Sequence, residues 1–169
     1  WRFETLYDFE GKHGIFPWGQ MIVDSAGNLY GTTSGGGNSG LGVAYELMPT
    51  AGKKRWKINL LHQFCGDECP AGNAPNGLTY AGAASGAPYD GASPLYGTAS
   101  SGGFGNEGVV FELLPGAKWT YKVIYTFCSK PLCADGGIPA ARLIVDGSGN
   151  LFGTTTGAEG GSAGRIFEL

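Results

Sequence analysis

The sequence predicts an all-β protein, and three observations carry that prediction. Glycine accounts for 32 of the 169 residues and aromatic residues for 12%, a composition typical of short strands joined by tight turns. Every second residue from 119 to 127 is apolar or aromatic, as expected for a strand with one buried face. No segment shows the period of about 3.6 residues that an amphipathic helix requires.

The chain contains three copies of one repeat unit. The phrase Leu-(Tyr or Phe)-Gly-Thr occurs at 29–32, 95–98 and 151–154. A second phrase, which ends in an aromatic residue followed by Glu-Leu, occurs at 43–47, 109–113 and 165–169. A third phrase runs from a tryptophan to a phenylalanine, at 1–9, 56–64 and 119–127. These phrases define three units of a single repeat domain, at 1–47, 56–113 and 119–169.

Each unit contains four strand-like segments. In the third unit they are 118–127, 142–146, 150–154 and 164–169. The sequence "DGSGN" between the second and third of them has the turn chemistry expected between two strands. A repeat of four short strands is typical of a β-propeller blade, which must stack on its neighbours to bury both faces. We therefore predict a β-propeller with about three four-stranded blades per chain.

Three blades are too few to close a ring, because propellers close with about four to eight. We expect two chains, arranged head to tail, to form a six-bladed homodimer. Residues 1–9 of one chain would then complete the blade that ends in the partner subunit at residue 169. The alternative is that the chain is part of a longer array.

Three segments of the chain resemble a known repeat family. The phrases "DSAGNLYGTTSGGG", "GVVFELLP" and "LTYAGAASGAPYDGASPLYGTAS" are similar to the GloVer-type tandem repeats of bacterial extracellular proteins. The resemblance covers nearly the whole chain, and it implies a repeat architecture and a secreted or cell-surface location. It carries no catalytic residue over to this chain. The middle unit departs from the pattern through "GAASGAPYDGAS", which lengthens one loop.

The four cysteines form two short-range pairs, Cys65 with Cys69 and Cys128 with Cys133. We expect one local disulfide in each pair, which would favour an oxidising, extracytoplasmic location. The alternative is a zinc site with four cysteine ligands, although neither pair has the usual spacing of two intervening residues.

Charge and motifs exclude several classes of function. Charged residues make up 15% of the chain and the net charge is −3. The one basic cluster, Lys53 to Arg55, is too small for a nucleic-acid interface. No apolar run approaches the roughly 20 residues of a membrane span. No catalytic, metal-binding or cofactor-binding motif is present, so we expect no cofactor, no metal site and no catalytic residue.

Two kinds of recurring position have a structural interpretation. His62 occupies the place that Tyr7 and Tyr125 hold in the other units, which predicts an aromatic packing position on a strand. A glutamate recurs in the second phrase, at positions 46, 112 and 168. We expect it to hydrogen-bond to a neighbouring blade, and a ring of such carboxylates holding a cation is the alternative.

Residues that do not repeat are the candidates for ligand binding. Trp18 follows Pro17, whereas the matching prolines precede an asparagine and an alanine, and Tyr89 with Asp90 belongs only to the middle insertion. An exposed aromatic ring beside a hydrogen-bonding group is what sugar recognition needs. The candidate carbohydrate-binding residues are Trp18, Tyr89, Asp90, His13 and Asp135.

The sequence therefore favours a secreted, lectin-like module that binds a carbohydrate or a cell-surface glycan. Two alternatives stay open at this point. One is a structural or adhesion repeat without a small ligand, and the other is an extracellular hydrolase or lyase that acts on carbohydrate.

Overall fold

The structure, a computed structural model, describes residues 1–51, 55–65, 72–158 and 163–169. Within these ranges the chain is all-β, with three antiparallel sheets and no α-helix. The predicted fold class is therefore confirmed at the level of strands and sheets. No helix among the described residues has the length and apolar character that crossing a membrane requires.

The strands follow one another in chain order within each sheet. The first sheet contains β1 to β4, at Ile15–Val23, Leu29–Gly35, Val43–Pro49 and Trp56–Gln63. The second contains β5 to β8, at Asn73–Tyr80, Leu95–Ser101, Val109–Leu114 and Thr120–Thr126. The third contains β9 to β11, at Ile144–Val145, Leu151–Thr155 and Arg165–Glu168. Short 3-10 turns lie at Gly11–His13, Ala83–Ser85, Phe104–Asn106 and Pro131–Cys133.

The sheets are offset from the sequence units. The first two sheets each take their fourth strand from the tryptophan phrase that opens the next unit, so β4 begins at Trp56. The third sheet has three strands among the described residues. Residues 1–9, which carry the same tryptophan phrase, form no strand.

The predicted turns between first and second strands are held by aspartate side chains. The Asp24 carboxylate accepts hydrogen bonds from the backbone N–H groups of Ala26 and Asn28, both at 2.9 Å. Asp146 accepts the equivalent bonds from Ser148 at 2.8 Å and from Asn150 at 2.9 Å. This Asx-turn geometry explains why an aspartate precedes an asparagine by four residues in both units.

The glycine of the Leu-(Tyr or Phe)-Gly-Thr phrase makes room for a cross-strand aromatic ring. Gly31 pairs with Tyr45, and Gly97 pairs with Phe111. A Cβ atom on Gly31 would lie 2.5 Å from the Tyr45 hydroxyl oxygen. The third unit repeats the arrangement, because Gly153 pairs with Phe167. The repeated phrase is thus a packing motif.

Each sheet has two distinct faces, because successive side chains of a strand point in opposite directions. We call the face that carries the third-strand aromatic residue the front face, with Tyr45, Phe111 and Phe167 in the three sheets. The opposite face, which carries Tyr30 in the first sheet, is the back face.

The sheets pack back to front through repeated aromatic contacts. Phe64, which follows β4, lies 5.2 Å from Phe111 between ring centroids. Phe127, which follows β8, lies 5.0 Å from Phe167. Both contributing phenylalanines are buried. Two layers of the hydrophobic core therefore lie between successive sheets. A third buried cluster, Val43, Tyr45 and Leu47, lies on the front face of the first sheet.

Candidate functional site

Trp18 is the most exposed of the aromatic candidates for ligand binding. It lies on β1 opposite Thr32, next to an irregularity in the β1–β2 pairing that falls between Trp18 and Ile22. Its side chain is 67% exposed and lines a groove of about 340 Å³, which we call the Trp18 groove. The other lining residues include Leu6, Tyr7, Met21, Leu29 and Tyr45. A flat apolar ring is thus presented to solvent beside an apolar groove.

His13 is linked to the same groove through Tyr7. The Tyr7 hydroxyl lies 2.8 Å from His13 Nδ1, and the Tyr7 side chain lines the Trp18 groove. His13 is exposed. Tyr7 therefore lines the groove together with Trp18, and His13 is the hydrogen-bond partner of Tyr7.

Tyr89 is not presented to solvent, contrary to the expectation of an exposed ring. It is 0% exposed, and its hydroxyl donates to the Ser93 carbonyl at 2.6 Å. Its ring packs edge-on against Tyr30 at 5.0 Å. Burial, with a further contribution from the charge of Asp90, raises the pKa of Tyr89 above its ordinary value. We correct its interpretation to a core residue that anchors the middle insertion.

Asp90 is exposed, and its carboxylate is occupied by its own loop. It accepts hydrogen bonds from the Ser93 hydroxyl at 2.6 Å, the Ser93 N–H at 2.7 Å and the Ala92 N–H at 2.9 Å. These bonds, the Ser93 side chain first, hold the pKa of Asp90 below its ordinary value. The geometry is that of a turn-stabilising aspartate.

Asp135 organises the loop after β8. Its carboxylate accepts hydrogen bonds from the Tyr125 hydroxyl at 2.7 Å, and from the Ser129 hydroxyl and N–H at 2.8 and 3.0 Å. Partial desolvation raises the pKa of Asp135, but the hydrogen bonds from Tyr125 and Ser129 outweigh it and lower this pKa to about 2. Asp135 is thus a permanently ionised acceptor that holds the loop.

A disulfide closes the same loop, as the sequence predicts. Cys128 is bonded to Cys133. Cys65 is also disulfide-bonded, whereas Cys69 lies outside the described residues, so the predicted pairing of these two residues stays a prediction. The basic residues Lys53 and Lys54 also lie outside the described residues.

Removing the Cys128–Cys133 bridge should destabilise the protein only moderately. Replacing both cysteines with serine is expected to lower the free energy of unfolding by about 2 kcal/mol, because the bridge closes a short loop. Chemical denaturation of the double variant, without reductant, measures this change. An unchanged midpoint would show that the Asp135 hydrogen bonds alone hold the loop.

The predicted candidates occupy three separate places in the fold. Trp18 lines the groove on the front of the first sheet, and His13 contacts Tyr7, which lines the same groove. Tyr89 and Asp90 lie beside the first turn, where a β-bridge joins Asp24 to Tyr89. Asp135 lies in the loop that follows β8.

The structure brings together a polar cluster around Tyr30 that the sequence did not predict. The Tyr30 hydroxyl lies 3.0 Å from both Asp24 Oδ2 and Glu46 Oε1, and Asn59 donates to Glu46 at 3.1 Å. Glu46 is therefore bonded within its own sheet, and its predicted bond to a neighbouring blade is wrong. The aromatic residue of one phrase and the glutamate of the next recur together in all three units, but without the strand register this recurrence does not identify them as partners. In the structure, Tyr30 on β2 lies directly opposite Glu46 on β3.

Among the described residues, no group of three or more histidine, cysteine, aspartate or glutamate side chains lies close enough to hold a metal ion. The polar cluster around Tyr30 instead has the geometry of a hydrogen-bonded packing contact. Burial is the main cause that raises the pKa of Tyr30, and the neighbouring Glu46 adds to it. A raised pKa keeps the phenol protonated, so that it acts as a hydrogen-bond donor.

Comparisons with known proteins place the chain in a family of repeats. No curated protein and no solved structure matches the chain significantly. A family model described as the Gloeobacter/Verrucomicrobia repeat matches residues 2–169, which is nearly the whole chain. The chain therefore belongs to the Gloeobacter/Verrucomicrobia repeat family.

Proposed function

We propose that this chain is an extracytoplasmic, propeller-like module that binds carbohydrate through Trp18. The observation that carries the proposal is the exposure of the Trp18 indole, 67%, beside an apolar groove of about 340 Å³. Sugar rings stack their apolar C–H face on flat aromatic side chains, while their hydroxyl groups need donors and acceptors at the rim. Tyr7 and His13 provide such groups.

The propeller arrangement is supported by the way the sheets stack. The first strands of successive sheets are in contact, β1 with β5 and β5 with β9. Two side-chain bonds also cross between sheets, from Thr98 Oγ1 to the Ala141 carbonyl at 3.1 Å and from Asn76 Nδ2 to the Pro139 carbonyl at 2.6 Å. First strands that line a common axis are the defining arrangement of propeller blades.

The disulfide supports an extracytoplasmic location. Disulfides persist in oxidising compartments and are rare in the cytosol. The Cys128–Cys133 bridge and the family membership are consistent with a secreted or cell-surface protein. A low charge content of 15% suits a neutral glycan better than a polyanion.

A glycan array, followed by titration calorimetry of any hit, tests the proposal with two matched variants. Trp18→Ala is expected to abolish saturable binding, because it removes the stacking surface. Phe104→Ala is the control, since Phe104 is 71% exposed and lies in a turn of the second sheet, away from the Trp18 groove. Equal loss of binding in both variants, or binding unchanged in Trp18→Ala, would contradict the assignment.

A structural or adhesion repeat without a small ligand is the second candidate. The observation that favours it is the repeated burial of aromatic rings between sheets, as in Phe64–Phe111 and Phe127–Phe167, since repeated positions serve packing. The absence of binding to every glycan tested would make this candidate the leading one. Release of soluble product from a polysaccharide would instead identify an enzyme.

A further inference from the structure

The outer edge of β11 has no strand beside it among the described residues. β3 and β7, which carry the same phrase, pair with β4 and β8, whereas the one partner of β11 within the described part of the chain is β10. The exposed fractions of the side chains on these strands differ in the same way. Ile166 is 84% exposed, whereas Ala44 and Val110 at the equivalent positions are both 0% exposed. An uncovered strand edge presents a row of N–H and C=O groups that can pair with another strand.

Residues 1–9 have the sequence of the strand that is missing there. They carry the tryptophan phrase of β4 and β8 but pair with no strand among the described residues. Trp1 and Phe3 are almost fully exposed, although the pattern they belong to is that of a half-buried strand.

The position of Phe9 shows which blade this segment belongs to. Phe9 lies 4.9 Å from Tyr45 between ring centroids, on the front face of the first sheet. Phe64 and Phe127 make the same contact with Phe111 and Phe167 from the end of the preceding sheet's fourth strand. Phe9 therefore has the position of a residue at the end of a fourth strand, and that strand would belong to a sheet packed on the front face of the first sheet.

We propose that β11 of one chain receives residues 1–9 of a second copy as its fourth strand. The β3–β4 and β7–β8 pairings define the register. Glu46 faces Asn59 and Glu112 faces Lys122. Asn59 and Lys122 are each the third residue after the tryptophan of their phrase. The same register places Glu168 opposite Glu4 of the second copy. This mode of recognition is strand addition, in which backbone hydrogen bonds supply the contact and side-chain pairs set the register.

The proposed register creates one attractive and one repulsive pair of charges. The register that places Val43 opposite Gln63 and Val109 opposite Thr126 places Arg165 opposite Asp8. Opposite charges that face each other across a strand pair attract. The neighbouring pair, Glu168 with Glu4, brings two like charges together and weakens the contact. The two pairs therefore predict opposite responses to mutation.

The outer faces of the first and third sheets are also complementary. The back face of the third sheet, which includes Ile166, is uncovered. The front face of the first sheet carries a buried cluster of Val43, Tyr45 and Leu47 and the apolar Trp18 groove. In the two contacts within the chain, a back face packs on a front face. Joining the third sheet of one copy to the first sheet of the next repeats that contact, and two copies joined twice form a six-bladed ring.

The assembly and carbohydrate binding share part of one surface, because Leu29 and Tyr45 on the front face of the first sheet also line the Trp18 groove. Asn76 holds the place of Trp18 in the second sheet, which has a sheet on both sides, and it keeps partial exposure. Trp18 would be similarly accessible on the first strand of a closed ring. A glycan array reports on the proposed function and the mass in solution reports on the assembly, so the failure of one is distinguishable from the failure of the other.

Analytical ultracentrifugation of the 169-residue chain tests the proposal. The expected result is a dimer mass that is lost on dilution. Arg165→Glu is expected to weaken each contact about tenfold, because it replaces an attractive pair with a repulsive one. Combining it with Asp8→Arg reverses the pair and is expected to restore the dimer. Glu4→Lys is expected to strengthen the dimer, because it recreates the pairing of Glu112 with Lys122.

Lys118→Glu is the matched control, since it changes the net charge by the same amount at an exposed position outside the proposed contact. All four substituted side chains are exposed, and circular dichroism verifies that each variant is folded. A monomer mass at every concentration would overturn the proposal. A dimer that responds to Arg165→Glu no more than to Lys118→Glu would overturn it as well.

Discussion

Replacing Gly97 with alanine is expected to lower the free energy of unfolding by about 3 kcal/mol, at the upper end of the usual cost of overpacking. An added Cβ would overlap the Phe111 ring and would lie 2.8 Å from the carbonyl oxygen of Gly77. Phe111 cannot move aside easily, because it is 0% exposed and packs against Phe64. The Gly77 oxygen belongs to the backbone of β5, so relief would require displacement of a strand.

Urea denaturation monitored by tryptophan fluorescence measures this loss. Gly147→Ala is the control, because nothing lies within 4 Å of a Cβ at Gly147 and its φ lies outside the positive range. We expect the control to change stability by less than about 0.5 kcal/mol. A Gly97→Ala variant as stable as this control would show that the glycine is not required by the ring above it.

The stability of the protein is expected to fall as the pH is lowered from about 6.5 towards 4, because of His62. The side chain is stacked on Tyr121 at 3.8 Å and packs edge-on against Phe64. Burial lowers the pKa of His62 from 6.5 to about 4. In this range the unfolded chain binds a proton that the folded protein does not, so stability is complete above pH 6.5 and decreases below it. The difference corresponds to about 3 kcal/mol.

His62→Phe is expected to remove most of that pH dependence. Among the described residues, His62 Nε2 is buried without a hydrogen-bond partner, so a phenyl ring keeps the stacking and loses no bond at that atom. Denaturation midpoints of both proteins between pH 4 and 7.5 provide the measurement. The control is His13→Asn, at an exposed histidine, which should leave the slope unchanged. An equal slope in wild type and His62→Phe would refute the assignment.

The local structure was largely predictable from the sequence, because the controlling contacts are short-range. The turns at Asp24 and Asp146 are set by residues within four positions, and the Cys128–Cys133 bridge spans a separation of 5. His62 was correctly assigned to an aromatic packing position, because the same place holds Tyr7 and Tyr125 in the other units.

The candidate site was less predictable, because exposure depends on contacts between distant segments. Tyr89 is buried since its loop folds back to form a bridge with Asp24, and no local pattern encodes that contact. The partner of Glu46 was wrongly assigned because a strand residue can point to either neighbour. Its actual partner, Tyr30, lies across the strand pair. Only the register distinguishes the two, and the register was not known.

The offset between sequence unit and sheet has a consequence for how such proteins lengthen. Each four-stranded sheet spans the boundary between two sequence units, as β4 at Trp56–Gln63 illustrates. Duplication or loss of one whole unit at any place in the array therefore leaves four strands in every sheet that lies between two units. Gene duplication can thus change the number of sheets in a single step, without any compensating substitution at the new junction.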